Sequence, residues 1–268
     1  MKLLPTHTPV ENSIEPAPKK SAAALASDEA EIIAQHFSHY LKPQLAWSPA
    51  LKQQVYQLRY QVYCEELHFE ATNRDHMEQD EFDSRSIHCF IRHLGSDGLA
   101  GTLRLITTRN ESELLPLEKF CPNAITDEKL RPRNFLPHEI CELSRLAVPL
   151  AFRKRQADQF TGGATGAINE QVFSIQELRF FPYIAISLYM SAVAMCYKTR
   201  RVHIFVMMEP RLARSLNFVG IKFTQIGDPI EYHGRRAPFY IDAREVRKTL
   251  SAGYRKLLTM IETELFAK

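Results

Sequence analysis

The chain has 268 residues, 45% of them hydrophobic and 24% charged, with a formal net charge of +3. That length can bury a full core and suits one α/β domain with extensions better than two small ones. The net charge is too small to argue for a nucleic-acid partner, and five cysteines without C-x-x-C spacing indicate neither a disulfide framework nor a zinc site. The cysteines read as reduced, mostly buried thiols. Residues 1–7 lack the continuous apolar run of a secretory signal, so a cytoplasmic chain is expected.

Residues 1–27 are rich in Pro, Ala, Ser and Lys without periodicity and read as a flexible lead to a single domain over 28–268. Asp28 is placed to cap a short helix reaching His36, and a first strand is expected over 40–46. Leu51, Val55, Leu58 and Val62 recur at helical spacing and define a buried stripe. Strand composition follows at 87–93, 99–107 and 140–148, the first two joined by a turn at 95–98. Residues 156–176 read as a loop inserted before the next helix. Its run 161–166 is Gly-rich but lacks the Gly-Lys-Ser/Thr ending of a phosphate-binding loop. Residues 180–197 carry no charge and raise the question of a membrane span. Pro182, the serines and the tyrosines favour a central helix packed on a sheet. A strand over 202–208, a short helix over 211–219, a closing pair of strands at 221–231 and 238–242, and one amphipathic C-terminal helix over 243–266 complete a mixed α/β sheet flanked by helices.

Charged residues stand where such elements usually carry apolar ones. Arg104 lies inside the strand Gly101-Thr102-Leu103-Arg104-Leu105-Ile106, and Glu142 and Arg145 inside Glu142-Leu143-Ser144-Arg145. A charge in such a run is costly unless it is paired or lines a site. Arg59 falls between Val55 and Val62 on the helical stripe, so its guanidinium points either into the interior or a cleft, or past the core edge to solvent. Asp80 and Asp83 sit three apart in an acidic turn that lacks the calcium-loop pattern, so no metal is expected. A Cys nucleophile paired with His88 or His138 is not singled out by any spacing.

Four segments in this order, the helix Arg59 to Tyr63, the turn Glu78-x-Asp80-x-x-Asp83, the strand Gly101-x-x-Arg104-Leu105 and the strand Glu142-x-Ser144-Arg145, resemble the acyl-homoserine-lactone synthases of the LuxI type, which have the GNAT acyltransferase fold. Residues 55–69, the stretch Leu115-Pro116-Leu117-Glu118 and residues 144–155 look closer still to acyltransferases associated with PEP-CTERM/exosortase systems, neighbours of the N-acyl amino acid synthases. The resemblance covers roughly residues 40–245. Two departures weaken S-adenosylmethionine as the acceptor: His68-Phe69 stand where those synthases place a Trp, and their Arg-Leu-Leu-Pro-Thr phrase becomes Arg104-Leu105-Ile106-Thr107-Thr108.

The resemblance implies a GNAT-like fold that moves a fatty acyl group from acyl carrier protein, or coenzyme A, to the amine of an amino-acid-like acceptor. It implies no tightly bound cofactor, no nucleic-acid partner and no membrane span, with peripheral membrane contact left open. A bulge in the strand 140–148 would open a gap for the thioester and let Glu142 share a pocket with Arg145. Glu142, with Ser144 and Arg145, would form the catalytic group. Glu142 is either the base that takes the amine proton or a member of a salt-bridge network with Arg104, Asp80 and Asp83. Arg59, Tyr63, Asp80, Asp83 and Arg104 would bind the acceptor, Arg59 or Arg104 as a carboxylate clamp. Val148 and the basic run Arg153-Lys154-Arg155 would meet the donor and its acidic carrier. The alternatives are a homoserine-lactone synthase using S-adenosylmethionine and a non-catalytic lipid-binding or interaction module of the same fold.

Overall fold

A computed structural model describes residues 37–154 and 183–267. Its centre is a mixed sheet in the order β1-β2-β3-β4-β6-β9-β7, with β8 paired to β9. The strands are β1 (Leu41–Leu45), β2 (Ser86–His93), β3 (Leu99–Thr107), β4 (Ile140–Ala147), β5 (Arg153–Lys154), β6 (His203–Met208), β7 (Thr224–Gln225), β8 (Ile230–Glu231) and β9 (Arg235–Asp242). Among the described residues the pairings of these strands in the sheet are antiparallel except that of β4 with β6.

Period-two alternation divides the sheet residues between two faces. Leu103, Leu105, Cys141, Leu143, Ile204 and Val206 face the main core, covered by α3 (Tyr183–Thr199) and α6 (Ala252–Phe266). Helix α3 is apolar over most of its surface because, from Ile184 to Cys196, only Ala185 and Ile186 are not buried. Ile184 and Leu188 press on the sheet so closely that a Cβ on Gly101 would stand 3.0 Å and 3.1 Å from their methyl groups. No helix among the described residues is long and apolar enough to cross a membrane.

The opposite face carries His88, Arg104, Ile106 and Glu142 and is covered by α1 (Pro49–Tyr60) and a 3-10 turn, Glu81–Arg85. Ser48 caps α1 by accepting the Leu51 N–H at 3.2 Å, and Pro49 fits the first turn, where no backbone donor is needed. The helix then widens into a π-helical turn, Gln61–Glu66. After it the Tyr63 carbonyl accepts the N–H groups of both Phe69 and Glu70, which turns that segment across the sheet.

Among the described residues the expected strands and helices are present, the short helix after β6 as α4 (Pro210–Val219), with two differences at the C-terminal end. The expected closing pair of strands is one long strand, β9, served by the two-residue partners β7 and β8. The single expected C-terminal helix is two, α5 (Ala243–Thr249) and α6, because Leu250 leaves helical geometry to become buried while Thr249 Oγ1 donates to the Gly220 carbonyl at 2.6 Å. The N-terminal lead, the helix after Asp28 and the loop 156–176 lie outside the described residues. All five cysteines are buried and unbridged.

Candidate active site

The site is made where β4 parts from β6. The two strands pair in parallel only from Ile140 to Leu143, opposite His203 to Val206. On the other edge of β4, Arg104 pairs with Ser144 but Thr102 pairs with Ala147, so β4 spends one extra residue at Arg145–Leu146. Arg145 takes a left-handed φ of 52°, a conformation costly for a residue with a Cβ. The bulge expected from the sequence is therefore present, placed just after Ser144. It turns Arg145 onto the face of Glu142 and Ser144 instead of the opposite one. Tyr63 holds it there, its hydroxyl donating to the Leu146 carbonyl at 2.8 Å and its ring lying 5.5 Å beneath the Arg145 guanidinium.

Behind the bulge is a closed ionic cluster. Arg59 donates to Glu78 at 2.5 Å and grips Asp83 through both terminal nitrogens, at 2.7 and 3.1 Å. Arg104 grips Asp80 at 2.5 and 2.9 Å, reaches Asp83 at 2.7 Å and donates to Ser144 Oγ at 3.1 Å. Arg145 donates to Glu78 at 3.0 Å and to Glu70 at 3.2 Å. The acidic turn is pre-shaped for this. Asp80 caps the 3-10 turn by accepting the Phe82 N–H, and Asp83 returns the bond by accepting the Asp80 N–H at 2.8 Å. Burial alone would push Asp83 upward, but the Arg59 and Arg104 guanidiniums more than reverse it and hold the carboxyl well below its usual range. Burial likewise opposes ionisation of Glu78, and Arg59 and Arg145 overcome it. His88, beside Asp83 at 3.6 Å, is pushed down to about 4 by burial and is neutral.

Glu142 stands outside this cluster. It is 3% exposed and makes no ion pair among the described residues. In register it lies between Ile106 and Phe205, and one of its oxygens accepts the Leu117 N–H at 2.9 Å from the first turn of α2 (Pro116–Phe120). Burial pushes its pKa up to about 8 against the modest pull of that N–H. Of the two readings open from the sequence, membership of the salt-bridge network does not describe Glu142, although it does describe Arg145.

A cavity of about 270 Å³ opens between β4 and β6. Glu142, Ser144, Arg145, Arg104, Asp80 and Tyr63 line it, so the structure brings together most of the residues singled out from the sequence. Leu143, Leu146, Val206, Met208, Leu212 and Tyr189 supply an apolar wall. The expected acceptor clamp at Arg59 is not what the structure shows. Arg59 is 0% exposed, does not line the cavity and spends its donors on Glu78 and Asp83. Arg104 and Asp83 are likewise committed within the cluster, Asp83 beneath the cavity lining. Val148 is buried in the main core, and Arg153 is buried against Glu66 instead of standing on a basic rim. The side chain of Lys154, and Arg155 as a whole, lie outside the described residues.

Six contributors were not singled out as site residues from the sequence. Glu78 was visible only as one acid of an acidic turn, Leu117 acts through its backbone, and Glu70, Tyr232, His233 and Arg236 reach the cavity from loops and a hairpin without a pattern of their own.

The acetyltransferase (GNAT) domain family matches residues 58–163. The chain has the GNAT fold. That domain makes it an acyltransferase, and the match spans the four charged segments and the bulged strand. No curated protein sequence matches the chain. Among solved structures it is similar to BjaI, a CoA-dependent acyl-homoserine lactone synthase bound to SAM and isopentyl-CoA, at 18% identity and a TM-score of 0.58, covering 81% of this chain and 89% of that one. It is also similar to TofI in a ternary complex with an inhibitor and MTA, at 18% identity and TM-score 0.54, covering 75% and 91%. A third is FeeM, an N-acyl amino acid synthase from uncultured soil microbes, at 13% identity and TM-score 0.51, covering 80% and 97%.

Proposed function

We propose that this acyltransferase moves a fatty acyl group from a thioester, carried by acyl carrier protein or coenzyme A, to the amine of an amino-acid-like acceptor. The observation that carries the reading is Glu142: a buried carboxyl with no ionic partner, tuned to about 8, lining the cavity that opens where β4 parts from β6.

Attack by an amine on a thioester carbonyl needs a neutral amine, a place for its proton and both reactants held together. A group with a pKa near 8 takes a proton from an attacking ammonium-forming nitrogen far better than an ordinary carboxylate does. The amine nitrogen forms the new bond to the carbonyl carbon, its proton passes to Glu142 directly or through a water, and the C–S bond breaks to release a thiolate, to which that proton is passed so that the thiol leaves and the Glu142 carboxylate is restored. The ionic cluster does not transfer protons in this scheme. It fixes Arg145 and Ser144, and with them the bulge and the mouth of the cavity. The apolar wall from Leu143 to Tyr189 suits an acyl chain.

The likeness to FeeM supports the amino-acid acceptor, and the likeness to BjaI and TofI supports the second reading, a homoserine-lactone synthase using S-adenosylmethionine. The changes at His68-Phe69 and at Ile106-Thr107-Thr108 favour the first. The test is to incubate the purified protein with a long-chain acyl thioester and either an amino-acid mixture or S-adenosylmethionine, and to identify products by mass spectrometry. An N-acyl amino acid is expected. An acyl-homoserine lactone would replace it by the second reading, and no product from either mixture would leave a lipid-binding or interaction module of exosortase-linked or other context.

A further inference from the structure

Among the described residues four arginines line the cavity, and three are neutralised in place. Arg104 is held by Asp80 and Asp83, Arg145 by Glu78 and Glu70, and Arg211 by Glu209 at 2.5 Å. The fourth, Arg236, makes no ion pair or hydrogen bond with any described residue, although its Nε is buried. Its guanidinium carbon lies 5.8 Å from the Phe69 ring centroid, so the ring supports one side of it and leaves the planar edge unused.

The fold holds it there deliberately. Arg236 pairs with Ile230 across the β8–β9 hairpin, whose turn needs left-handed φ at His233 (50°) and Gly234 (90°), and it immediately precedes Ala237, the partner of Met208 at the diverging end of β6. It therefore stands on the β6 and β9 side of the cavity, whereas Glu142 stands on β4. Its charge is felt by Tyr63, Tyr189, Tyr232 and His233. Glu70 is already engaged by Arg145, and His233 lies 3.8 Å from the same carboxylate.

We infer that Arg236 is the residue that binds the acceptor's carboxylate, and that the acceptor is an amine bearing such a group, not a neutral amine. The assignment rests on the acyl-transfer reading and takes over the role expected from the sequence for Arg59 and Arg104. A guanidinium offers two parallel N–H donors matched to a carboxylate, and one left unneutralised in a partly apolar cavity gains most from that ligand.

The experiment uses the full chain and calorimetric titration with three probes: N-dodecanoylglycine, its uncharged analogue N-dodecanoylglycinamide, and S-adenosylmethionine. Wild-type protein is expected to bind the acid about tenfold tighter than the amide, the worth of one charge-assisted contact. Arg236→Gln should abolish that preference while leaving amide binding and the thermal midpoint unchanged, and Arg236→Lys should retain part of it. If S-adenosylmethionine is instead the ligand that binds and Arg236→Gln weakens it about tenfold, the carboxylate assignment stands with that acceptor. Equal binding of acid and amide by wild-type protein, or an undiminished preference in Arg236→Gln, overturns the inference and leaves acyl transfer standing. Binding of none of the probes by wild-type protein overturns both.

Discussion

Asp83 and Glu142 are carboxyls buried to nearly the same degree, 6% and 3% exposed, against the same face of one sheet, yet they are in opposite states. Asp83 is ionised far below its usual range, and Glu142 is pushed up to about 8. Burial raises both. What separates them is two guanidiniums within 2.7 Å of Asp83 and, for Glu142, a backbone N–H in a place between Ile106 and Phe205 where, among the described residues, no guanidinium comes within ion-pair distance. Burial thus sets the cost of a charge, and pairing decides whether it is met by ionising or by staying neutral. The first arrangement builds a wall and the second a titratable group at pH 7 to 9.

The sharpest break in this contrast is Asp83→Asn. It leaves Arg59 and Arg104 buried with too few carboxylates, so a loss of about 3 to 5 kcal/mol is expected in urea unfolding. The same ion pairs set the acid limb. Because the folded-state pKa of Asp83 lies below its ordinary 3.8, its contribution is present above that value and is lost as pH falls through the folded-state pKa. A variant as stable as the parent would show that the cluster is not what holds the face together.

Glu142→Gln tests the other half. Gln keeps the neutral shape of the group and has no ionised unfolded form to favour unfolding, so the variant should be at least as stable as the parent near neutral pH while acyl transfer falls by about 10²-fold or more. Wild-type activity should rise with pH through about 8, as Glu142 ionises. Its stability contribution runs the other way. With the folded-state pKa raised above 4.5, it is full below that pH and is lost as pH climbs through about 8. The variant should therefore lose less thermal midpoint than the parent between pH 6 and pH 9. Full activity in Glu142→Gln would remove it as the base.

The smallest effect is expected from Tyr63→Phe, which deletes only the hydroxyl that holds the Leu146 carbonyl at the bulge. About 0.5 to 1.5 kcal/mol of stability should go, with a modest fall in rate. A rate unchanged at lower stability would separate the bulge's anchor from its catalytic shape.

Much of this molecule is legible in one dimension. Helical spacing of Leu51, Val55, Leu58 and Val62 and the alternation in 99–107 and 140–148 recover the principal elements, because hydrophobic periodicity is a local consequence of how each backbone repeats. The same patterns mark Arg104, Glu142 and Arg145 as charges in apolar elements that need an explanation, and leave Arg59 open between the interior and solvent. Pairing is different, since it depends on distances of a few ångströms between segments far apart in the chain. Glu78 is 19 residues from Arg59 and 67 from Arg145, and nothing local says that it joins them. One extra residue at Arg145–Leu146 decides that Arg145 shares a face with Glu142, and the packing around Leu117 decides that the two do not pair. The β8–β9 hairpin carries Arg236 to the cavity from a stretch with no motif at all. The period of the chain marked several of the charges that stand in apolar elements, whereas only the tertiary structure decided which charges are buried and which of those are neutralised, because amphipathic period is local and neutralisation lies in contacts between distant parts.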